Sequence, residues 1–134
     1  MCYKINAMKN NPIKVLLINQ SNGTANKVEE MLYTSTAESA YRIADDAHNA
    51  KNIINWYQPN IIIMDADAKD KGELDLIKYI RKENFSSKVI VLKNHSDFAK
   101  YQKKYTQSGA DFFFNKEDEM INIKSILEDR TCAA

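Results

Sequence analysis

Five short apolar runs alternate with five stretches of helical periodicity along this 134-residue chain, and that alternation limits the accessible folds more sharply than any single motif. The runs are residues 13–18, 40–44, 61–64, 89–92 and 112–114. Between them Val28, Met31 and Leu32, then Ala50, Ile53, Ile54 and Tyr57, then Leu74, Ile77 and Ile80 recur at three- and four-residue spacing. Phe98, Tyr101 and Tyr105 form a fourth such stripe, and Met120, Ile123, Ile126 and Leu127 a fifth. Each stripe gives a helix one face to bury. A strand that always yields to a helix must cross over to reach a parallel neighbour, so the order predicts an α/β fold, a (βα)5 doubly wound parallel five-stranded sheet. Residues 61–64 and 89–92 are apolar throughout, as strands covered on both faces are, and are expected at the centre of the sheet.

Turn chemistry falls where this reading needs it. Asn22-Gly23 follows the first run, Asp46 is placed to cap the second helix, Pro59-Asn60 interrupts the chain before the third run, and Ser108-Gly109 ends the fourth helix. Residues 13–130 are expected to form one domain, with 1–12 as a lead-in and 131–134 as a tail. Trp56 and Tyr57 are expected to pack the second helix, and His48 and His95 lack a second ligand at metal spacing.

Nineteen Lys and Arg stand against eighteen Asp and Glu, a net charge of +1, so no overall field draws in nucleic acid or an anionic membrane. Neither is expected as a partner. Cys2 and Cys132 lie at opposite ends with no paired spacing, which points to a reducing cytoplasm. No apolar run approaches the length needed to span a bilayer.

In an open parallel sheet the ligand crevice lies beyond the carboxyl ends of the strands. The residues there are Asn19 and Gln20, Asp65 and Asp67, Lys93 and Asn94, and Asn115 and Lys116. Carboxylates thus face two lysines.

With these residues placed, the segment Pro59-Asn60-Ile61-Ile62-Ile63-Met64-Asp65 resembles the receiver domain of two-component response regulators, in which an apolar third strand ends at the phosphate-accepting aspartate. Leu74-Asp75-Leu76-Ile77-Lys78-Tyr79-Ile80-Arg81 is similar to the receiver's third helix, and Val89-Ile90-Val91-Leu92 with Lys93-Asn94 to its fourth strand and active-site loop. The run from Ser108 to Lys116 resembles the approach to the receiver's lysine, so the likeness covers roughly residues 13 to 128. The resemblance implies the flavodoxin-like or CheY-like strand order 2-1-3-4-5. It also implies that Asp65 is the phosphoacceptor position and Lys116 the lysine that pairs with the carboxylate or phosphate.

Four departures alter what the resemblance implies. The acidic pair that would hold magnesium reads Asn19-Gln20, and neutral amides give a hard cation no charge. A metal set of Asn19, Gln20, Asp65 and Asp67 is therefore expected to hold Mg2+ weakly or not at all, and no other cofactor is implied. Lys93 replaces the Thr or Ser that hydrogen-bonds the phosphoryl group, so a pocket of about −2 in the family becomes about +1 here, before Asp67 is counted. Asp65 is then expected to be held by Lys93 and Lys116. Phe113, at the switch position, has no hydroxyl. Glu117 follows the lysine where the family has proline, and a trans bond is expected there.

The resulting expectation is a stand-alone receiver-like protein of two-component phosphorelay signalling, not an enzyme, acting as a phosphorylation-independent interaction module. The expected partner is a histidine kinase or an output protein, with homodimerisation through helix 4, strand 5 and helix 5. Tyr101, Tyr105 and Phe113 are the interface candidates on that face. The alternatives are a functional receiver phosphorylated on Asp65 and, more remotely, a flavodoxin-like small-ligand binder that cradles phosphate at Ser21-Asn22-Gly23-Thr24.

Overall fold

A computed structural model of the chain describes residues 12–18, 23–35, 38–66, 72–94 and 98–132, the last few as helix backbone only. The expected metal residues Asn19, Gln20 and Asp67, together with His95 and most of the lead-in, lie outside them. Strands β1 (Ile13–Ile18), β2 (Ser39–Ala44), β3 (Ile61–Asp65), β4 (Lys88–Lys93) and β5 (Phe112–Asn115) alternate with helices α1 (Thr24–Thr34), α2 (Ala47–Tyr57), α3 (Glu73–Lys82), α4 (Phe98–Ser108) and α5 (Ile121–Cys132). The strands form one parallel sheet in the order β2-β1-β3-β4-β5. β3 is the middle strand and wholly buried, and β1 and β4 flank it with nearly the same burial.

Strand alternation divides the core in two. Leu16, Ile18, Ile62, Met64, Val89 and Val91 point to the face covered by α2, α3 and α4, where they meet Ala50, Ile54, Ile77 and Ile80. Val15, Leu17, Ile61, Ile63, Ile90 and Leu92 point to the face covered by α1 and α5, where Val28, Leu32, Ile123 and Leu127 close over them. Fully burying each such side chain contributes about 1.5–3 kcal/mol, so the two stripes account for the sheet's cohesion.

Local chemistry fixes the helix ends. Asp46 takes an extended backbone and its side chain accepts the Asn49 N–H at 2.8 Å, capping α2. Asp46→Ala is expected to cost about 1 kcal/mol, read as a lower urea midpoint at unchanged slope. α3 carries Glu73 and Asp75 in its first turn and Arg81 and Lys82 in its last, matching the helix dipole at both ends. Gly109 ends α4 at φ 121°, where a Cβ would stand 2.7 Å from Arg81 Cγ.

The last contact belongs to a hydrogen-bonded corner below the sheet. Arg81 donates to the carbonyls of Gly109 at 2.9 Å and Ser87 at 3.0 Å, and to Asp111 Oδ2 at 2.6 Å. The same Asp111 oxygen accepts the Val89 N–H at 2.8 Å. One guanidinium thus ties the end of α3 to the starts of β4 and β5.

Trp56 departs from expectation. It is 61 % exposed, and the Arg42 guanidinium lies 5.0 Å from its ring centre. Ala50 and Ile54 fill the buried stripe of α2, which leaves the next-but-one position facing outward.

Candidate functional site

The carboxyl end of β3 sets the site. Asp65 is the last residue of that strand, 0 % exposed, and continues the alternating row of Ile61 and Ile63. A carboxylate in such a place requires a charged or hydrogen-bonding partner. Lys116 supplies one: its Nζ lies 2.6 Å from Asp65 Oδ1, and its own side chain is largely buried. Lys116 directly follows β5, two strands away from β3, so only the parallel arrangement brings these residues together.

The loop after β5 holds that lysine by short contacts. Lys116 N–H donates to the Lys93 carbonyl at 3.0 Å, extending the β4–β5 pairing by one residue. Asn115 is buried; its Oδ1 accepts the Glu117 N–H at 2.8 Å, and its own N–H donates to Glu119 Oε1 at 2.7 Å. The Glu119 N–H returns to the Asn115 carbonyl at 2.9 Å. This Asx-type turn shapes the segment where the family resemblance places proline. Among the described residues no peptide bond is cis.

Lys93 ends β4 and is also buried. It continues the row of Val89 and Val91, which faces α4, and its ammonium sits 5.0 Å from the centre of the Tyr101 ring. The contact described for Asp65 is with Lys116, and that described for Lys93 is this cation–π stack.

Two of the three interface candidates are not surface residues. Tyr105 and Phe113 are buried, their rings 5.6 Å apart, with Phe98 4.9 Å from Phe113. Phe113 shares the inward row of the sheet's α4 face, and Tyr105 covers it from the helix, so the aromatic stripe closes on itself. Tyr101 alone of the three keeps partial exposure. The surface of α4 is instead basic, with Lys100, Lys103 and Lys104 exposed.

Of the residues expected to hold magnesium, only Asp65 is described, and an ammonium already neutralises one of its oxygens. Among the described residues no group of three metal-ligating side chains is present. The other three expected ligands, Asn19, Gln20 and Asp67, lie outside the described residues.

Burial also singles out Glu73, which no sequence motif marks. It opens α3 and is 4 % exposed. Nothing in its sequence neighbours distinguishes it from a solvated acid such as Asp75.

No protein-family model matches the sequence, and no curated protein matches it significantly. Solved structures do match. The receiver domain of Francisella response regulator 1452 aligns at 27 % identity and a TM-score of 0.71, over 90 % of this chain and 99 % of that one. The signal receiver domain of the putative response regulator NarL from Mycobacterium tuberculosis aligns at 18 % identity and a TM-score of 0.77, covering 92 % and 99 %. The chemotaxis response regulator CheY4 of Vibrio cholerae aligns at 18 % identity and a TM-score of 0.71, covering 90 % and 99 %. The chain has the α/β fold of response-regulator receiver domains.

Proposed function

We propose that this chain is a receiver-like module of two-component signalling that works in the cytoplasm through protein contacts, without catalysis and without phosphate transfer to Asp65. The observation that supports this reading most directly is the burial of a second cation, Lys93, at the end of β4 beside the wholly buried Asp65–Lys116 pair. A carboxylate that attacks a phosphoryl group needs a free oxygen lone pair and a way to offset the charge that develops. Here the Lys116 ammonium at Oδ1 already offsets the carboxylate's charge without a metal. Lys93 adds a second buried cation at the place where the resemblance puts a hydroxyl, and its ammonium also lies against the Tyr101 ring of α4. The site then resembles the charge-neutralised state of a pocket, held by the chain's own side chains.

Among the described residues no helix is long and apolar enough to cross a membrane, and the net charge of +1 favours neither nucleic acid nor an anionic surface. A protein partner, such as a histidine kinase or an output protein, fits these properties best. The basic outer face of α4 suits an acidic docking surface on it.

Incubation with a small acyl phosphate and magnesium, followed by intact-mass and peptide mass spectrometry, tests the proposal. The expected result is no phosphate on Asp65. Stoichiometric modification would make the chain a working receiver and end this reading.

A further inference from the structure

The opposite side of the molecule carries a feature that the site does not explain. β2 is a sheet edge, and its residues Ala40, Tyr41, Arg42 and Ile43 are consecutively exposed. Among the described residues no strand pairs with its outer side. Four of the five large hydrophobic side chains exposed among the described residues lie on or beside it: Tyr33, Tyr41, Ile43 and Trp56. Natural edge strands are blunted by proline, bulges, outward lysines or shortness. The other edge, β5, has only four residues, whereas β2 has six and none of those devices. Its single charge, Arg42, is folded back over Trp56 and Tyr57.

We infer that the β2 edge is an interface between two copies of this chain, joined antiparallel about a two-fold axis at Ala40. The backbone fixes which residues take part. Ile13 N–H bonds to the Glu38 carbonyl at 2.9 Å, so Glu38, Ala40 and Arg42 direct their amides toward β1, while Ser39, Tyr41 and Ile43 direct theirs outward. An antiparallel partner therefore pairs odd residues with odd, as hydrogen-bonded pairs. Of the registers that meet this condition, one sets Ser39 against Tyr41 of the second copy and Ala40 against Ala40. The same register sets Glu38 against Arg42, twice, by symmetry.

That register is self-complementary in shape and charge. The smallest side chain of the exposed run sits at the axis, where opposed Cβ atoms come closest. Glu38 and Arg42 both lie on the α2 side of the sheet, so the paired charges share a face. A shift that opposes Arg42 to Arg42 places like charges together, and one that opposes Tyr41 to Tyr41 leaves Arg42 facing alanine. On the α1 side, Tyr41 is held upright by its hydroxyl donating to Glu29 Oε2 at 2.6 Å, one helical turn from Tyr33. Each copy so presents an aromatic wall beside the joined strands. The result is a continuous ten-stranded sheet whose two Asp65 sites are unobstructed.

Cysteine cross-linking reads the register directly. In a Cys2→Ser/Cys132→Ser background, Ala40→Cys is expected to give a covalent dimer under mild oxidation. Opposed Cα atoms at a non-hydrogen-bonded pair lie about 4.5 Å apart, within disulfide reach. Lys78→Cys, exposed on α3, is the control and should stay monomeric. By sedimentation equilibrium, Arg42→Glu or Glu38→Arg alone should weaken the dimer about tenfold, and the two together should restore it. Ile43→Lys should give a folded monomer. A chain that is monomeric at every concentration overturns the inference, as does a dimer whose cross-linking at position 40 is no better than at 78. So does a monomer that dimerises only after residues 1–11 are removed, since the edge would then belong to the chain's own N-terminal segment.

Discussion

Replacing Lys116 by methionine is expected to destabilise the protein by about 3–5 kcal/mol, because it leaves the Asp65 carboxylate fully buried beside an apolar side chain. The loss is larger than the worth of the ion pair itself. Asp65 and Lys116 have already lost most of their hydration in the folded chain, so what the mutation exposes is the cost of a buried charge that has lost its ammonium. The double variant Asp65→Asn/Lys116→Met removes both charges and is expected to recover most of that loss. Urea unfolding of the four proteins closes a double-mutant cycle, and a coupling below about 0.5 kcal/mol would mean the two groups act independently. The cycle separates structure from function as well. A pair that stabilises strongly and takes no phosphate is a fixed strut; a pair that stabilises and takes phosphate is a poised receiver.

The second large effect lies at the other end of the sheet. Arg81→Ala is expected to cost about 2–4 kcal/mol, since it takes a donor from two main-chain carbonyls and from the Asp111 carboxylate at once. Both members of the ion pair keep 31 % side-chain exposure, so water recovers part of the loss and the upper end of that range is a ceiling. Arg81→Lys should rescue only a minor share, because one ammonium cannot reach three acceptors in the directions that a planar fork does. Gly109→Ala should be costly for two reasons: φ of 121° is unfavourable for an L-residue, and its Cβ collides with the same arginine. Thermal melts should show a loss of roughly 10 °C for Arg81→Ala, and a shift under about 2 °C would remove the corner from the list of structural supports.

The alternation of runs and stripes made the layers and the element order legible, because a parallel sheet buried on both faces leaves few other ways to write its sequence. β1 was readable to the residue, since Pro12 and Asn19 bracket a continuous apolar run. β3, β4 and β5 proved longer than their apolar runs because Asp65, Lys93 and Asn115 are polar strand residues, and their pairing partners rather than their hydropathy keep them in the ladder. Lys116 beside Asp65 followed from family spacing. That Lys93 also meets the Tyr101 ring did not, for it depends on which helix covers that row of the strand. The burial of Tyr105 and Phe113 was hidden for a related reason. A helical aromatic stripe looks the same whether it meets another ring or the solvent, and only the inward row of β5 decides between them. The exposure of β2 was equally hidden, since Tyr41 and Ile43 carry the composition of a buried strand.

The order in which strands neighbour one another has a consequence for how this molecule comes into being. Not one pair of adjacent strands is joined by a hairpin, and β1 lies between β2 and β3, both of which are made after it. During synthesis the first strand must therefore wait, unsheltered, until the chain has grown past Asp65 before its second neighbour can arrive. Such topologies are slow to close because every contact encloses a long loop. The segment around Val15 and Leu17 is where a stalled or truncated copy should aggregate first.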